Sequence, residues 1–151
     1  MAASIVAAVP TIRVAAPPDP AADAIVTAGL RSALRPIWGA PNGVALSVYL
    51  EDDGRVVGGI VGHIAWQWLL VERLWVDEAY RGRGHGERLL AAAERQAAEV
   101  HACVGAHLDT FGDAALPFYR RCGYEIWGTL EDFPPGGRRH FLRKRLVAGS
   151  R

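Results

Sequence analysis

Residues 72–86 read Glu72-Arg-Leu-Trp-Val-Asp-Glu-Ala-Tyr-Arg-Gly-Arg-Gly-His-Gly86. The apolar beginning predicts a strand that ends at Val76, and the residues after the alternating glycines predict an amphipathic helix. A glycine-rich turn between a strand and a helix lets several backbone N–H groups converge on one point, where the positive end of the helix dipole adds to them. These residues therefore predict a binding site for a phosphate group.

The glycine spacing separates this loop from two common phosphate loops. Gly82, Gly84 and Gly86 lack the two-residue gap of a dinucleotide fingerprint, and no Gly-Lys-Ser/Thr is present for a P-loop. The segment Arg81-Gly-Arg-Gly-His-Gly86 instead resembles the acyl-CoA pyrophosphate loop, Arg/Gln-x-x-Gly-x-Gly/Ala, of the GNAT family of N-acetyltransferases. Residues 115–124, Ala-Leu-Pro-Phe-Tyr-Arg-Arg-Cys-Gly-Tyr, resemble that family's second motif. A helix start with mobile glycines and no ligand is the alternative.

Hydrophobic patterns along the chain agree with that family's order of elements. We predict a helix that is capped by Asp19, has Pro20 at its first position and ends at about Ser32, followed by an irregular segment over 34–41. Strands are predicted at 11–14, 44–51, 56–65, 69–76, 104–108, 124–130 and 140–146, and further helices at 86–100 and 114–122. The resemblance implies an α/β (α+β) GNAT acyl-CoA N-acyltransferase fold, a mixed central sheet of about seven strands flanked by helices.

Length and composition limit the classes of protein that this chain can belong to. Its 151 residues fit a single domain, predicted at 11–147 between a loose N-terminal tail, 1–10, and a C-terminal tail, 148–151. The 17 basic and 16 acidic side chains leave a net charge of +1, which gives no whole-molecule reason to expect nucleic acid or an anionic membrane as a partner. Basic clusters at 138–140 and 143–145 keep a tRNA partner open as an alternative.

The cysteines and histidines give no sign of a metal. Cys103 and Cys122 lack metal-ligand spacing and are predicted to be free thiols, as in a reducing compartment, so we expect a cytoplasmic protein. The five histidines do not pair at ligand spacing, so no metal is expected. No apolar run is long enough to span a bilayer.

The resemblance implies that acetyl-CoA is the co-substrate. In that family the backbone amides of the loop hold the pyrophosphate, which assigns Arg81, Gly82, Arg83, Gly84, His85 and Gly86 to cofactor binding. The end of the preceding strand, Leu74, Trp75 and Val76, corresponds to the family's main-chain contacts with the pantetheine and the acetyl oxygen. Arg81 and Arg83 either add positive charge or are solvated side chains of a loop.

Glu72 is the candidate catalytic base. In a regular strand it shares a face with Leu70, Leu74 and Val76, so we expect its carboxylate in an apolar row beside the active site. Loss of solvent there makes a carboxylate more basic, as a base that acts through water requires. Several relatives place a catalytic glutamate four residues before the strand-end valine, the position of Glu72. The alternative is a charge pair with a cross-strand basic residue, or an exposed carboxylate at an edge.

Tyr119 matches the tyrosine that, in many relatives, points at the CoA sulfur as a general acid. Packing of an aromatic ring is the alternative. Candidates for acceptor binding are weaker. Trp38, in the segment 34–41, could contact the acceptor or be a packed anchor. A partly aromatic wall could be formed by Trp66, Trp68, Trp127 and Phe133, although tryptophans serve as often in packing.

Together these residues indicate an N-acetyltransferase that moves an acetyl group by direct transfer to a primary amine of a small molecule or peptide. One alternative is a non-catalytic acyl-CoA-binding module, and another is an acetyltransferase that modifies a protein or tRNA. We expect no membrane partner, and we expect an amine acceptor rather than nucleic acid as the partner. A homodimer is a further expectation.

Overall fold

The structure is a computed structural model that describes residues 10–40 and 43–146. These residues fall into two compact units that divide after Ala40. The predicted tails, 1–10 and 148–151, lie outside the described residues apart from Pro10. A single domain over 11–147 stays a prediction from the sequence.

The unit before residue 41 contains helix α1, Pro20–Trp38. Asp19 begins it as predicted, because its side chain accepts the N–H groups of Ala21 and Ala22, both at 3.2 Å. Residues 11–14, predicted to be a strand, do not form one. The described part of this unit contains no other strand with which their backbone N–H and C=O groups could pair.

α1 also continues past its predicted end at Ser32. Pro36 lies inside the helix, so the prediction of an irregular segment is wrong for residues 34–38. Proline removes one hydrogen bond from the helical ladder, but the N–H of Gly39 still bonds to the carbonyl of Arg35 at 2.9 Å. The ladder therefore resumes beyond the proline, and Gly39, with a φ of 75°, ends it.

The unit after residue 40 has the predicted alternation of strands and helices. Its strands are β1 (Val44–Asp52), β2 (Arg55–Ala65), β3 (Trp68–Val76), β4 (Gly105–Phe111), β5 (Glu125–Glu131) and β6 (Arg138–Arg145). Its helices are α2 (His85–His101) and α3 (Leu116–Arg121), with a short 3-10 helix at Glu78–Tyr80.

The strands form one mixed sheet in the order β1-β2-β3-β4-β6-β5. β3 and β4 are parallel, and the other neighbours are antiparallel. The predicted mixed sheet with flanking helices is confirmed, with six strands because residues 11–14 are not one of them. A tight turn joins β1 to β2, as the sequence Asp52-Asp53-Gly54 predicts: Asp53 and Gly54 have φ values of 49° and 73°, as a two-residue hairpin turn requires.

One side of the sheet carries the core. The sequence predicts a buried apolar stripe on α2 that consists of Leu89, Leu90, Ala93, Ala97 and Val100. The first four are at most 4% exposed, but Val100, near the end of the helix, is 62% exposed, so the prediction is wrong for that residue. The four buried residues pack with buried residues of the central strands: Ile60, Ile64, Leu69, Val71, Ala106, Leu108 and Leu142. α3 joins the same core. We call this side, which carries Leu69, Leu108 and Leu142, the helix face, and the opposite side the far face.

Candidate active site

β3 and β4 separate part-way along their length. They pair from Trp68 with Gly105 to Val71 with Leu108, and no pairing between them continues beyond those residues. The second halves of both strands therefore leave a gap between them, which we call the fork.

A bulge in β3 lies at the level of the fork. Val61 of β2 pairs with Arg73, but its neighbour Gly62 pairs with Val71, which leaves Glu72 without a partner in β2. A bulge adds one residue to a strand, bends it and re-aims the side chains that follow. β3 therefore bends at Glu72, directly after its last residue that pairs with β4.

A cleft of about 540 Å³ opens beside the fork on the helix face. The end of β3, the 3-10 helix, the glycine loop, the start of α2 and α3 all contribute to it. Its lining residues are Leu74, Val76, Tyr80, Arg81, Gly82, Gly84, His85, Gly86, Glu87, Ala115, Phe118, Tyr119 and Arg121. The two sequence motifs therefore line one site.

The glycine loop leaves backbone donors free at the start of α2. Gly82 and Gly84 have φ values of 71° and 76°, which residues with a side chain rarely adopt. The space beside both glycines is open, because a Cβ on either would meet no atom within 4 Å. No side chain caps α2, and the first hydrogen bond of its ladder joins the N–H of Arg88 to the Gly84 carbonyl at 3.1 Å. The N–H groups of residues 85–87 precede that bond and remain for a ligand at the positive end of the helix dipole.

Two further details fit a pyrophosphate at this loop. Nδ1 of His85 is buried and has no hydrogen-bond partner among the described residues, although His85 lines the cleft. Buried polar atoms without a partner are uncommon, and a bound ligand would supply one. Gly86 lets α3 approach closely, because a Cβ there would lie 3.3 Å from the Phe118 ring. The loop therefore fits the CoA pyrophosphate that the sequence predicts.

The three predicted residues at the end of β3 face two ways. Leu74 and Val76 line the cleft. Trp75, between them, is 51% exposed and is not among the lining residues. A contact of Trp75 with the cofactor therefore has to come from its main chain.

The two loop arginines have different settings. Arg81 lines the cleft, and its Nε donates to the Val76 carbonyl at 2.8 Å, so it joins the glycine loop to the end of β3. Arg83 lies over the Tyr80 ring at 6.0 Å and is not among the lining residues. Arg81 is thus the arginine that faces the predicted cofactor.

Glu72 lies on the far face, and the predicted apolar row around it is wrong. The bulge shifts the alternation, so that Leu74 and Val76 pack toward the helices while Glu72 does not. The Glu72 side chain is 37% exposed, and its Oε1 is 2.9 Å from Nδ1 of His63 on β2. Nη1 of Arg73 lies 3.7 Å from its other oxygen. The catalytic role of Glu72 stays a prediction. Its carboxylate has a cross-strand partner, His63, as the alternative interpretation of this residue expected.

Tyr119 is 9% exposed and lines the cleft from α3. Its ring packs edge to face on Phe118 and Tyr124, with centroids 5.0 and 6.0 Å away. Burial raises the pKa of the Tyr119 phenol, and the nearby Cys122 and Asp109 raise it further. The hydroxyl therefore keeps its proton through neutral pH.

The weaker acceptor candidates belong to different elements of the chain. Trp66 lies in the turn between β2 and β3, with a φ of 46°. Trp68 lies at the start of β3, before the fork, and its ring fills the space above Gly105, where a Cβ would be only 2.5 Å from it. Phe133 is in the loop between β5 and β6, and Trp38 is the last residue of α1 in the other unit. Neither tryptophan of the β2–β3 hairpin lines the cleft.

Sequence reasoning missed several residues of the site: Tyr80, Glu87, Phe118 and Arg121 in the cleft, and His63 beside Glu72. His63 pairs with Leu70 across the hairpin, which places it diagonally opposite Glu72, and counting back from the turn could have found it. Arg121 lines the cleft from the last turn of α3, and nothing in its local sequence separates it from the other arginines.

In the part of the chain that the structure describes, no three His, Cys, Asp or Glu side chains gather as a metal ion would need. None of the helices there combines the length and apolarity of a membrane span. Cys103 and Cys122 are free thiols, and burial raises the pKa of each. Cytoplasmic localisation and a homodimer stay predictions.

Comparison with known proteins agrees with this geometry. Residues 12–124 match the model of the acetyltransferase (GNAT) family. A blasticidin-S acetyltransferase of Streptomyces morookaense is 46% identical over 95 residues, which span 63% of this chain and 70% of that protein. An acetyltransferase of Agrobacterium fabrum is 44% identical over 96 residues, 64% of this chain and 69% of that one.

Solved structures agree as well. The 1.9 Å crystal structure of an acetyltransferase from Bacillus cereus superposes with a TM-score of 0.81 at 28% identity, over 91% of this chain and 98% of that one. The family uses acetyl-CoA, which the cleft and its loop fit. The chain therefore belongs to the acetyltransferase (GNAT) family and is an acyltransferase.

Proposed function

We propose that this chain transfers the acetyl group of acetyl-CoA directly to a primary amine of a small molecule or peptide. The observation that carries the proposal is the cleft, where free N–H groups of α2, the end of β3 and the Tyr119 side chain meet. When bound, acetyl-CoA supplies the acetyl group as a thioester. Residues 81–86 would hold its pyrophosphate, and the end of β3 its pantetheine arm.

Glu72 and Tyr119 would move the two protons of the reaction. Glu72 would take a proton from the amine through a water molecule, and its hydrogen bond to His63 gives that proton a route to a half-exposed imidazole. Tyr119 would give its proton to the departing sulfur, and the raised pKa of the phenol keeps that proton on the hydroxyl at neutral pH until negative charge develops on the sulfur. The fork lets the two groups approach one reacting centre from opposite faces of the sheet.

The acceptor is best sought among small amines. The relative named for blasticidin S supports this choice, since it is 46% identical over 95 residues. The test is release of free thiol from acetyl-CoA by the purified chain, with blasticidin S, polyamines, amino acids, aminoglycosides and a lysine peptide supplied one at a time. We expect turnover of at least one small amine. Binding of acetyl-CoA without turnover of any amine would favour a non-catalytic module.

That alternative has one observation in its favour, because Glu72 already has a hydrogen-bond partner in His63. Glu72→Gln separates the two readings. We expect the variant to lower the rate at neutral pH about tenfold, which is less than a general base usually contributes, because water reaches the half-exposed carboxylate and can accept the proton in its place. The affinity for acetyl-CoA, measured by calorimetry, should not change, since Gln keeps the shape of Glu.

Glu125→Gln is the matched control for that substitution. Glu125 lies on β5 and makes a similar pair, with Nε of Arg143 at 2.9 Å. Full activity of both variants would remove Glu72 from the reaction.

A further inference from the structure

Aromatic rings gather on the far face where β4 runs on past the fork. The guanidinium carbon of Arg139 lies 4.9 Å from the ring centroid of Phe111, 5.0 Å from that of Phe133 and 5.5 Å from that of Phe141. Nε of Arg139 also donates to the carboxylate of Asp109 at 2.8 Å. We call these residues the aromatic cluster. It fixes the β5–β6 loop, which carries Phe133, against the end of β4.

Two rings of the cluster remain open to solvent. Phe111 is 56% exposed and Phe133 is 43% exposed, and they meet edge to face with centroids 5.9 Å apart. Arg139 therefore covers only part of their surface. Flat apolar rings left open beside a reaction site offer stacking surface to a ligand.

The aromatic cluster is continuous with the fork. Asp109 directly follows Leu108, the last residue of β4 to pair with β3, and Glu72 directly follows the corresponding Val71. The charge of Asp109 contributes to the raised pKa of Tyr119, so the cluster lies within electrostatic reach of the cleft. Phe111 is two residues beyond Asp109, about 7 Å along the strand. A ligand whose ring stacks on Phe111 would therefore need only a short linker between that ring and an amine at the fork.

The carboxylates around the cluster already have partners. Asp109 pairs with Arg139, Asp113 with His140 and Arg138, and Glu125 with Arg143. Glu131 lies 4.0 Å from Nε of Arg138, and Asp132 accepts the N–H of Gly136 in its own loop. Most carboxylates beside the open rings therefore have a cationic partner already, which favours an acceptor bound through its ring over one bound through several cations.

We infer that the acceptor is a primary amine carrying a flat aromatic or heterocyclic ring, with the ring on Phe111 and Phe133 and the amine at the fork near Glu72. This inference rests on the proposed acetyl transfer and adds the class of acceptor to it. Phe111 and Phe133 would determine specificity, and Arg139 would position them.

The experiment compares two amines with the same carbon skeleton. 2-Phenylethylamine has a flat ring and 2-cyclohexylethylamine a puckered one, and spermidine represents linear polycations. Each amine is titrated by calorimetry into the chain saturated with CoA, so binding is measured without turnover. We expect the phenyl compound to bind about three- to tenfold more tightly than the cyclohexyl compound, with spermidine weakest. Equal affinities, or tightest binding of spermidine, would overturn the inference.

Two variants locate the preference. Phe111→Leu and Phe133→Leu keep apolar bulk but remove a flat ring, and each should abolish the preference for phenyl over cyclohexyl. Tyr49→Leu on β1 removes a similarly exposed ring from outside the cluster and should leave the preference intact. An unchanged preference in both phenylalanine variants would contradict the assignment. Ring-selective binding without thiol release from acetyl-CoA would contradict the proposed transfer alone.

Discussion

Replacing Tyr119 by phenylalanine is expected to lower kcat about a hundredfold and to leave KM for acetyl-CoA nearly unchanged. The variant keeps the ring and its contacts with Phe118 and Tyr124, and it loses only the proton that the hydroxyl would give to sulfur. Because that hydrogen bond strengthens as negative charge develops on sulfur, the loss falls on kcat. Steady-state kinetics with varied acetyl-CoA at saturating amine measure both constants.

Tyr124→Phe is the control for this result. Tyr124 is a neighbouring buried phenol whose hydroxyl donates to Oε1 of Glu94 at 2.8 Å, and it does not line the cleft. Its loss should lower the free energy of unfolding by about 1–2 kcal/mol and leave kcat unchanged. Normal turnover by Tyr119→Phe would assign Tyr119 to packing, and an equal fall in kcat in both variants would show a general packing effect.

Gly84→Ala is expected to weaken acetyl-CoA binding about a hundredfold. The new methyl group would project into the open space that the glycine leaves for the phosphate. If it displaces the phosphate from two N–H groups, each contributing about 1.5 kcal/mol, Kd rises by that factor. Calorimetric titration with CoA gives the number directly.

Gly54→Ala isolates the cost of backbone strain. Gly54 has a φ of 73°, against 76° for Gly84, and a Cβ on it also meets nothing within 4 Å. Both variants should therefore lose similar stability, about 1 kcal/mol, in thermal unfolding. Unchanged CoA affinity in a folded Gly84→Ala protein would refute the assignment of the loop.

The glycine loop and α2 could be predicted from the sequence because their signals are local. Alternating glycines and the stripe of Leu89, Leu90, Ala93 and Ala97 specify a turn and a helix without any knowledge of the rest of the chain. The hairpin of β1 and β2 was equally accessible, since Asp53-Gly54 is a turn by composition.

The face of Glu72 could not be predicted in the same way. The residues of β3 before and after Glu72 are mostly apolar, whichever face of the strand they occupy. The sequence pattern therefore does not show where the alternation between the two faces is interrupted. The bulge depends on how β2 pairs with it, which is a tertiary property. The aromatic cluster likewise joins β4 to a loop and a strand that follow it by about 20–30 positions, and no local pattern in the sequence predicts that contact.

The bulge also determines what a deletion at this position would do. Leu69 and Val71 face the helices before Glu72, and Leu74 and Val76 face them after it. Removing the codon for residue 72 would make that alternation unbroken, so the shortened strand would keep every apolar side chain on its present side. The mutant chain would retain its folding pattern while losing both the carboxylate and the bend beside it. A single in-frame deletion thus offers evolution a short route from an enzyme of this fold to a folded protein that lacks the predicted catalytic base.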